Sequence, residues 1–364
     1  MLSSSDFVIN VFCLLAFLPT ALACPPAEYY MAPDQSNSTF DKRWMRVQNN
    51  IFSTWWADAT IRYCFADPAA RAAFEHILPT AWYLWVNAGI DDHLKFREGT
   101  LAECAAGSKT HVLDIRLNTQ GLMQTTPGDR PGSDIAVPPI RGSFMSLDPN
   151  ALNNAGTLDP VVNVAHEIGH AWGMLHEHQR PDFWPRTPYG GLGQQEIFFE
   201  CSNMADYAAK LARNGQEEMD TSICINAMAA QRAGFSGSQI LPDLNPLNEY
   251  PPRGTEFDWN SIMLYGGQAG GIGQGLGRAT VMSRTPGGPP MPWNMNPSQQ
   301  DVACLMEMYG KSEIRTAGDP TTLSHVFLLV APTAPRPAPQ FFWQKGSQFR
   351  SKFKEVTGSS SQCL

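Results

Sequence analysis

The spacing of apolar positions along the chain changes several times, and each change marks an element. Ile61, Tyr63 and Phe65 alternate with Arg62 and Cys64, a period of two that predicts a strand. Asp67-Pro68 then supplies a helix N-cap followed by a first-turn proline. Phe74, Ile77, Leu78, Ala81, Trp82 and Trp85 recur at helical spacing, and Pro79 inside that run predicts a kink. Residues 111–117 alternate again and read as a strand. Residues 125–139, rich in Pro, Gly and Asp, read as a loop, and residues 144–147 as a short strand ahead of a turn at Asp148-Pro149. Asp159 and Pro160 open the next helix, whose apolar face runs through Val161, Val164, Ala165, Ile168, Ala171 and Trp172 before Gly173 at the C′ position. Residues 177–297 are loop-rich. Ser298-Gln299-Gln300-Asp301 reads as a capping box for a closing helix with Val302, Leu305, Met306 and Tyr309, stopped by Gly310. The fold class predicted is α+β: a twisted sheet with helices in the N-terminal half, then an irregular C-terminal half ending in that helix.

The two ends follow other rules. Residues 7–18 are almost all apolar and are followed by Pro19 and Ala21-Leu22-Ala23, the pattern of a secretory signal peptide over residues 1–23. A secreted, extracellular protein is therefore expected, with no membrane span, since no other stretch approaches 18 apolar residues. Residues 24–50 form a polar N-terminal or pro segment. It carries the sequon Asn37-Ser38-Thr39 and the dibasic pair Lys42-Arg43, which reads equally as a processing site or a solvated pair. Residues 51–310 read as one domain divided near residue 176, and residues 311–364 as a Pro/Ser-rich tail with one apolar stretch at 326–330. Of the 8 cysteines, Cys13 leaves with the signal; in an oxidising compartment most of the others should pair. Cys201 and Cys224 are expected to form a local staple, and Cys24 and Cys363 to stay unpaired. A net charge of −8 leaves no basic footprint for nucleic acid.

The chemistry is concentrated in residues 166–176, His-Glu-Ile-Gly-His-Ala-Trp-Gly-Met-Leu-His. His166 and His170 stand at i and i+4, so both imidazoles leave one helical face and can hold one metal ion. A third ligand cannot follow on the next turn of a straight helix; Gly173 can turn the chain and deliver His176. Three neutral imidazoles leave the fourth position of one zinc ion open, as in a catalytic site. Glu167 is then the natural general base. Five fixed positions at this spacing arise by chance in about one such chain in ten thousand. A zinc or protein-binding module without turnover is the rival reading, and such a module would be expected to lack Glu167 or one ligand.

His176-Glu177-His178-Gln179-Arg180-Pro181-Asp182 resembles the astacin family of metzincin zinc endopeptidases, which carries Glu after the third histidine and Arg and Asp at this spacing. Ser261-Ile262-Met263-Leu264-Tyr265 is similar to the family's Met-turn. The resemblance extends in weaker form from about Trp56 to Gly310. It implies a secreted metalloendopeptidase whose substrate, a protein or peptide, lies between the two halves of the domain. It implies catalytic roles for Glu167 and Tyr265, the latter as a movable ligand, and structural support from Gly173, Glu177 and Met263, with Met263 as an apolar floor. Without the resemblance, Met263 reads as core and Tyr265 as a packed aromatic. It also implies that the strand at 144–147 is the edge that pairs with an extended peptide. The family's F-x-G-D pro-segment signature is absent, and Asp34 and Asp41 are its nominal substitutes. Glu177 is expected to bond locally, and His178 to lie behind the ligands or on the surface.

Overall fold

The structure is a computed structural model that describes residues 44–48, 54–105, 111–119, 121–130, 142–149, 156–185, 196–245, 248–251 and 255–310. The signal segment, the sequon, the dibasic pair, Cys24, Cys363 and the tail lie outside the described residues. In chain order the elements are β1 (Arg46–Val47), β2 (Thr60–Phe65), α1 (Pro68–Phe74), α2 (Ile77–Ala88), β3 (Lys95–Glu98), α3 (Leu101–Ala105), β4 (Leu113–Leu117), β5 (Gln124–Thr125), β6 (Ser143–Leu147) and α4 (Pro160–Ala171). The second half follows with β7 (Phe198–Phe199), α5 (Tyr207–Asn214), α6 (Gln216–Glu218), α7 (Ala227–Arg232), β8 (Asn248–Glu249), β9 (Met282–Ser283) and α8 (Gln299–Tyr309).

Five strands form one mixed sheet in the order β3-β2-β4-β6-β5. The first four run parallel, and β5 closes the edge antiparallel to β6, with Gln124 opposite Ser146 and Thr125 opposite Met145. The strand at 144–147 is therefore not the edge; the two polar residues of β5 cover it.

Asp67 caps α1 as its sequence promises, accepting the Ala70 amide at 2.7 Å. The helix parts at Glu75 and His76, not at Pro79. A proline ring clashes with the carbonyl four residues back, here that of Glu75. The break at that point leaves Pro79 in the first turn of α2, where a missing N–H costs nothing. His76 is exposed at the junction. Strand β4 begins at Leu113, two residues after the alternation starts, because His111 takes φ +63° and turns its ring to Asp129.

Two apolar cores result. One joins the sheet, α2 and α4 to Ile262, Met263 and the inner face of α8. The other gathers Phe183, Trp184, Phe235, Leu264 and Met282 in the irregular half. Indole and phenol groups tie the first core to the helix carrying the histidines: Trp85 Nε1 donates to the Ala165 carbonyl at 2.9 Å, Trp56 Nε1 to Ala171 at 2.6 Å, and the Tyr309 hydroxyl to Trp172 at 2.9 Å. Cys201 pairs with Cys224 as expected, and Cys64 with Cys104, joining β2 to α3. Cys304, whose pairing the sequence left open, is a buried free thiol packed on Met308 within α8.

Candidate metal centre

Helix α4 sets the first two histidines. Asp159 caps it by accepting the Val161 amide at 2.8 Å, and Pro160 occupies the first turn. Gly169, one residue before His170, faces inward. A Cβ there would run into the Met263 sulfur and crowd Trp85, so glycine lets Met263 approach the helix. Gly173 takes φ +102°, a left-handed conformation that L side chains rarely adopt, and turns the chain toward His176.

His166, His170 and His176 converge, with one ligand atom from each within 4.8 Å of the others. The outward nitrogen of each ring is fixed by an oxygen: His166 Nδ1 lies 2.7 Å from the Ile262 carbonyl, His170 Nδ1 2.8 Å from Met174, and His176 Nδ1 2.8 Å from the Gln179 amide oxygen. The Gln179 orientation is unambiguous, because its NH2 donates to the Leu241 carbonyl at 3.0 Å. All three Nδ1 atoms are thus donors, and all three Nε2 atoms turn lone pairs inward. His170 Nε2 and His176 Nε2 stand 2.9 Å apart, and His166 Nε2 is buried with no partner among the described residues. Facing lone pairs repel unless a cation lies between them. Zinc bonded to nitrogen at about 2.0–2.1 Å sets its donors roughly 3.3 Å apart, so this cluster fits such an ion. Burial pushes His166 and His176 well below the usual imidazole range, with neighbouring imidazoles adding to it, and pushes His170 down to about 4. Neutral rings, as metal binding requires, are the result.

Glu167 follows the first ligand and lines a cleft with His166, Tyr265, Trp293 and Asn294. Burial raises its carboxyl to about 7 against the pull of the nearby Thr125 hydroxyl. Its Oε2 has no partner among the described residues. Met263 is buried, with its sulfur against Gly169 of the histidine-bearing helix. The Tyr265 ring stands 4.3 Å from His176 and 5.4 Å from His166. Burial and then the Glu167 charge push its phenol up, so it remains a hydroxyl donor. Glu177 points away from the metal cluster. Its Oε1 accepts from Arg180 at 2.9 Å and from the Asp258 amide at 3.1 Å, the local bonding expected of it, and burial raises it to about 7.

Two contributors escape a reading of the sequence, and a third was left between two alternatives. Gly169 is legible only as a costly glycine inside a helix. Gln179 sits three residues past His176, but its carbonyl anchor comes from residue 241. His178, placed behind the ligands or on the surface, is fully buried against them.

A comparison with known protein families gave no match, and neither did one with curated protein sequences. Among solved structures the chain is similar to high choriolytic enzyme 1, a hatching enzyme zinc-protease from Oryzias latipes (medaka fish), at TM-score 0.41 and 15% identity, over 72% of this chain and 98% of that one. It is also similar to two structures of myroilysin. The first gives TM-score 0.37 and 16% identity, over 73% of this chain and 98% of that one; the second gives 0.36 and 15%, over 71% and 86%.

Proposed function

We propose that this protein is a secreted zinc endopeptidase of the astacin type, with residues 51–310 as its catalytic domain. One observation carries the reading: three imidazole lone pairs converge, and the first of those rings, His166, lines a cleft together with Glu167 and Tyr265. His166, His170 and His176 would hold one zinc ion. Bound there, zinc supplies a Lewis acid for the peptide carbonyl and brings the pKa of a water to near 7. Glu167 would take a proton from the attacking water as the water oxygen bonds to the carbonyl carbon, and return it to the amine nitrogen as the C–N bond breaks. The Tyr265 hydroxyl donates to the carbonyl oxygen as negative charge builds there, an interaction worth about 3 kcal/mol in comparable sites.

Met123 lines the cleft, and β5 begins at the next residue. As the antiparallel edge of the sheet, β5 presents backbone groups to which an extended peptide adds as a further strand. Two disulfides in the described residues and the apolar segment at 7–18 support secretion. No helix among the described residues is long and apolar enough to cross a membrane.

The test is digestion of a peptide library read by mass spectrometry, with chelator and after zinc is restored. Cleavage should vanish with the chelator and return with zinc. Glu167→Gln should keep its zinc and lose about a thousandfold in turnover. Chelator-insensitive cleavage, or an active Glu167→Gln protein, overturns the reading.

A further inference from the structure

The turn at residues 262–265 is tied to the histidine segment at three successive points. The Ile262 carbonyl accepts from His166 Nδ1 at 2.7 Å, the Met263 carbonyl from the Glu177 amide at 3.2 Å, and the Tyr265 amide donates to His178 Nδ1 at 3.3 Å. The third tie runs through a side chain that has no place among the metal ligands.

His178 is fully buried, and its ring is held on every side. Because Nδ1 accepts the Tyr265 amide, Nε2 carries the proton and donates to the Gln239 carbonyl at 2.9 Å. The His178 carbonyl accepts the Trp184 indole at 2.7 Å, which fixes the backbone beneath the ring. One face lies 4.9 Å from the His176 ring at 27°, and the ring lies 4.7 Å from Tyr265 at 31°. An apolar ring would fill this space without burying two nitrogens, which is costly unless both are bonded. The two bonds that satisfy them end on the Gln239 carbonyl and on the backbone of Tyr265.

We propose that His178 is a positioning residue for Tyr265: its neutral imidazole holds the Tyr265 amide and keeps the phenol against His176, so that the hydroxyl is delivered to the reacting carbonyl. This rests on the zinc-endopeptidase reading of the site. His178 never touches the substrate; it acts through Tyr265.

Two variants separate this from a merely structural role. His178→Phe keeps a ring and removes the acceptor, whereas His178→Asn keeps an oxygen where Nδ1 stood. Amide hydrogen exchange on metal-free protein is the first readout. His178→Phe should speed exchange at Tyr265 about tenfold, the loss of one hydrogen bond, and leave Met263 and Leu264 unchanged. In zinc-loaded protein, His178→Phe should keep its zinc and lower kcat about tenfold with KM within about twofold. His178→Asn should recover most of that loss. On a Tyr265→Phe background, His178→Phe should cost less than about twofold, because its effect runs through the missing hydroxyl. Equal losses in both backgrounds, no recovery by Asn, or unchanged exchange at Tyr265 would overturn the proposal. Should the wild-type protein cleave no peptide, the enzymatic reading fails alone, and the exchange measurement still decides whether His178 holds Tyr265.

Discussion

The two cores that meet at the candidate metal centre are built by different means. Around the sheet, order comes from periodic elements: apolar faces of α2 and α4 close over parallel strands, and side-chain caps define where α1 and α4 begin. In the irregular half, β7, β8 and β9 have two residues each. Order there comes from particular side chains that bond loop backbone. Arg180 shows the device best: fully buried, it pairs with Glu177 and Asp182 at 2.9 Å each and donates to the Thr255 and Glu256 carbonyls. The seam between the cores runs through the turn at 262–265, where Met263 packs into the first core and Leu264 into the second. The first region supplies the rigid helix for two ligands. The groups that orient the rings lie beyond that helix: the Ile262 carbonyl for His166, the Met174 carbonyl for His170, Gln179 for His176 and, for Tyr265, His178. A periodic scaffold can hold ligands at fixed spacing, but rotating each imidazole to its working angle takes single contacts from outside the helix.

If that contrast is right, the irregular half should be the more sensitive to loss of one polar group. Arg180→Ala strands the buried Glu177 carboxylate and the partly buried one of Asp182 and should destabilise the fold by roughly 3 kcal/mol in urea unfolding; a loss under about 1 kcal/mol would erase the contrast. Asp301 tests the seam itself. It accepts from Ser261 Oγ at 2.6 Å and from the Ile262 amide at 2.8 Å, yet burial raises its carboxyl to about 6. A raised carboxyl favours the folded state below its unfolded pKa near 3.8, and that contribution is lost as pH rises through about 6. Between pH 4 and pH 7 the wild-type protein should therefore lose roughly 2 kcal/mol relative to Asp301→Asn. Parallel urea midpoints across that range would show that this carboxyl titrates normally. Gln179→Ala leaves His176 without its outer bond, and zinc affinity should fall about 10- to 100-fold in competition titrations. At the periodic end of the contrast, Asp159→Ala removes one cap from a helix held by packing and should cost about 1 kcal/mol in thermal unfolding, with zinc binding preserved.

The same division explains what could be read from the chain. Helix α4 was legible because its cap, apolar face, ligand spacing and Gly173 all lie within eighteen residues, 159–176. The strands at 60–65 and 113–117 were legible by alternation, and the closing helix by its capping box. Strand β5 was not: two polar residues have no period, and only pairing with β6 defines them. The helix break fell at Glu75 because a proline acts on the carbonyl one turn earlier, an effect displaced from the residue that causes it. Cys64–Cys104 spans 40 residues, which no local pattern reveals. The cluster of His166, His170 and His176 was legible, whereas the burial of His178 and the anchor of Gln179 depend on residues about sixty positions away.

The most direct test of the central claim is metal analysis of dialysed protein alongside His166→Ala, His170→Ala and His176→Ala. The account predicts one equivalent of zinc in the wild-type chain and its loss in each variant that still folds. Metal-free wild-type protein after zinc loading, or full zinc retention in folded variants, would contradict it.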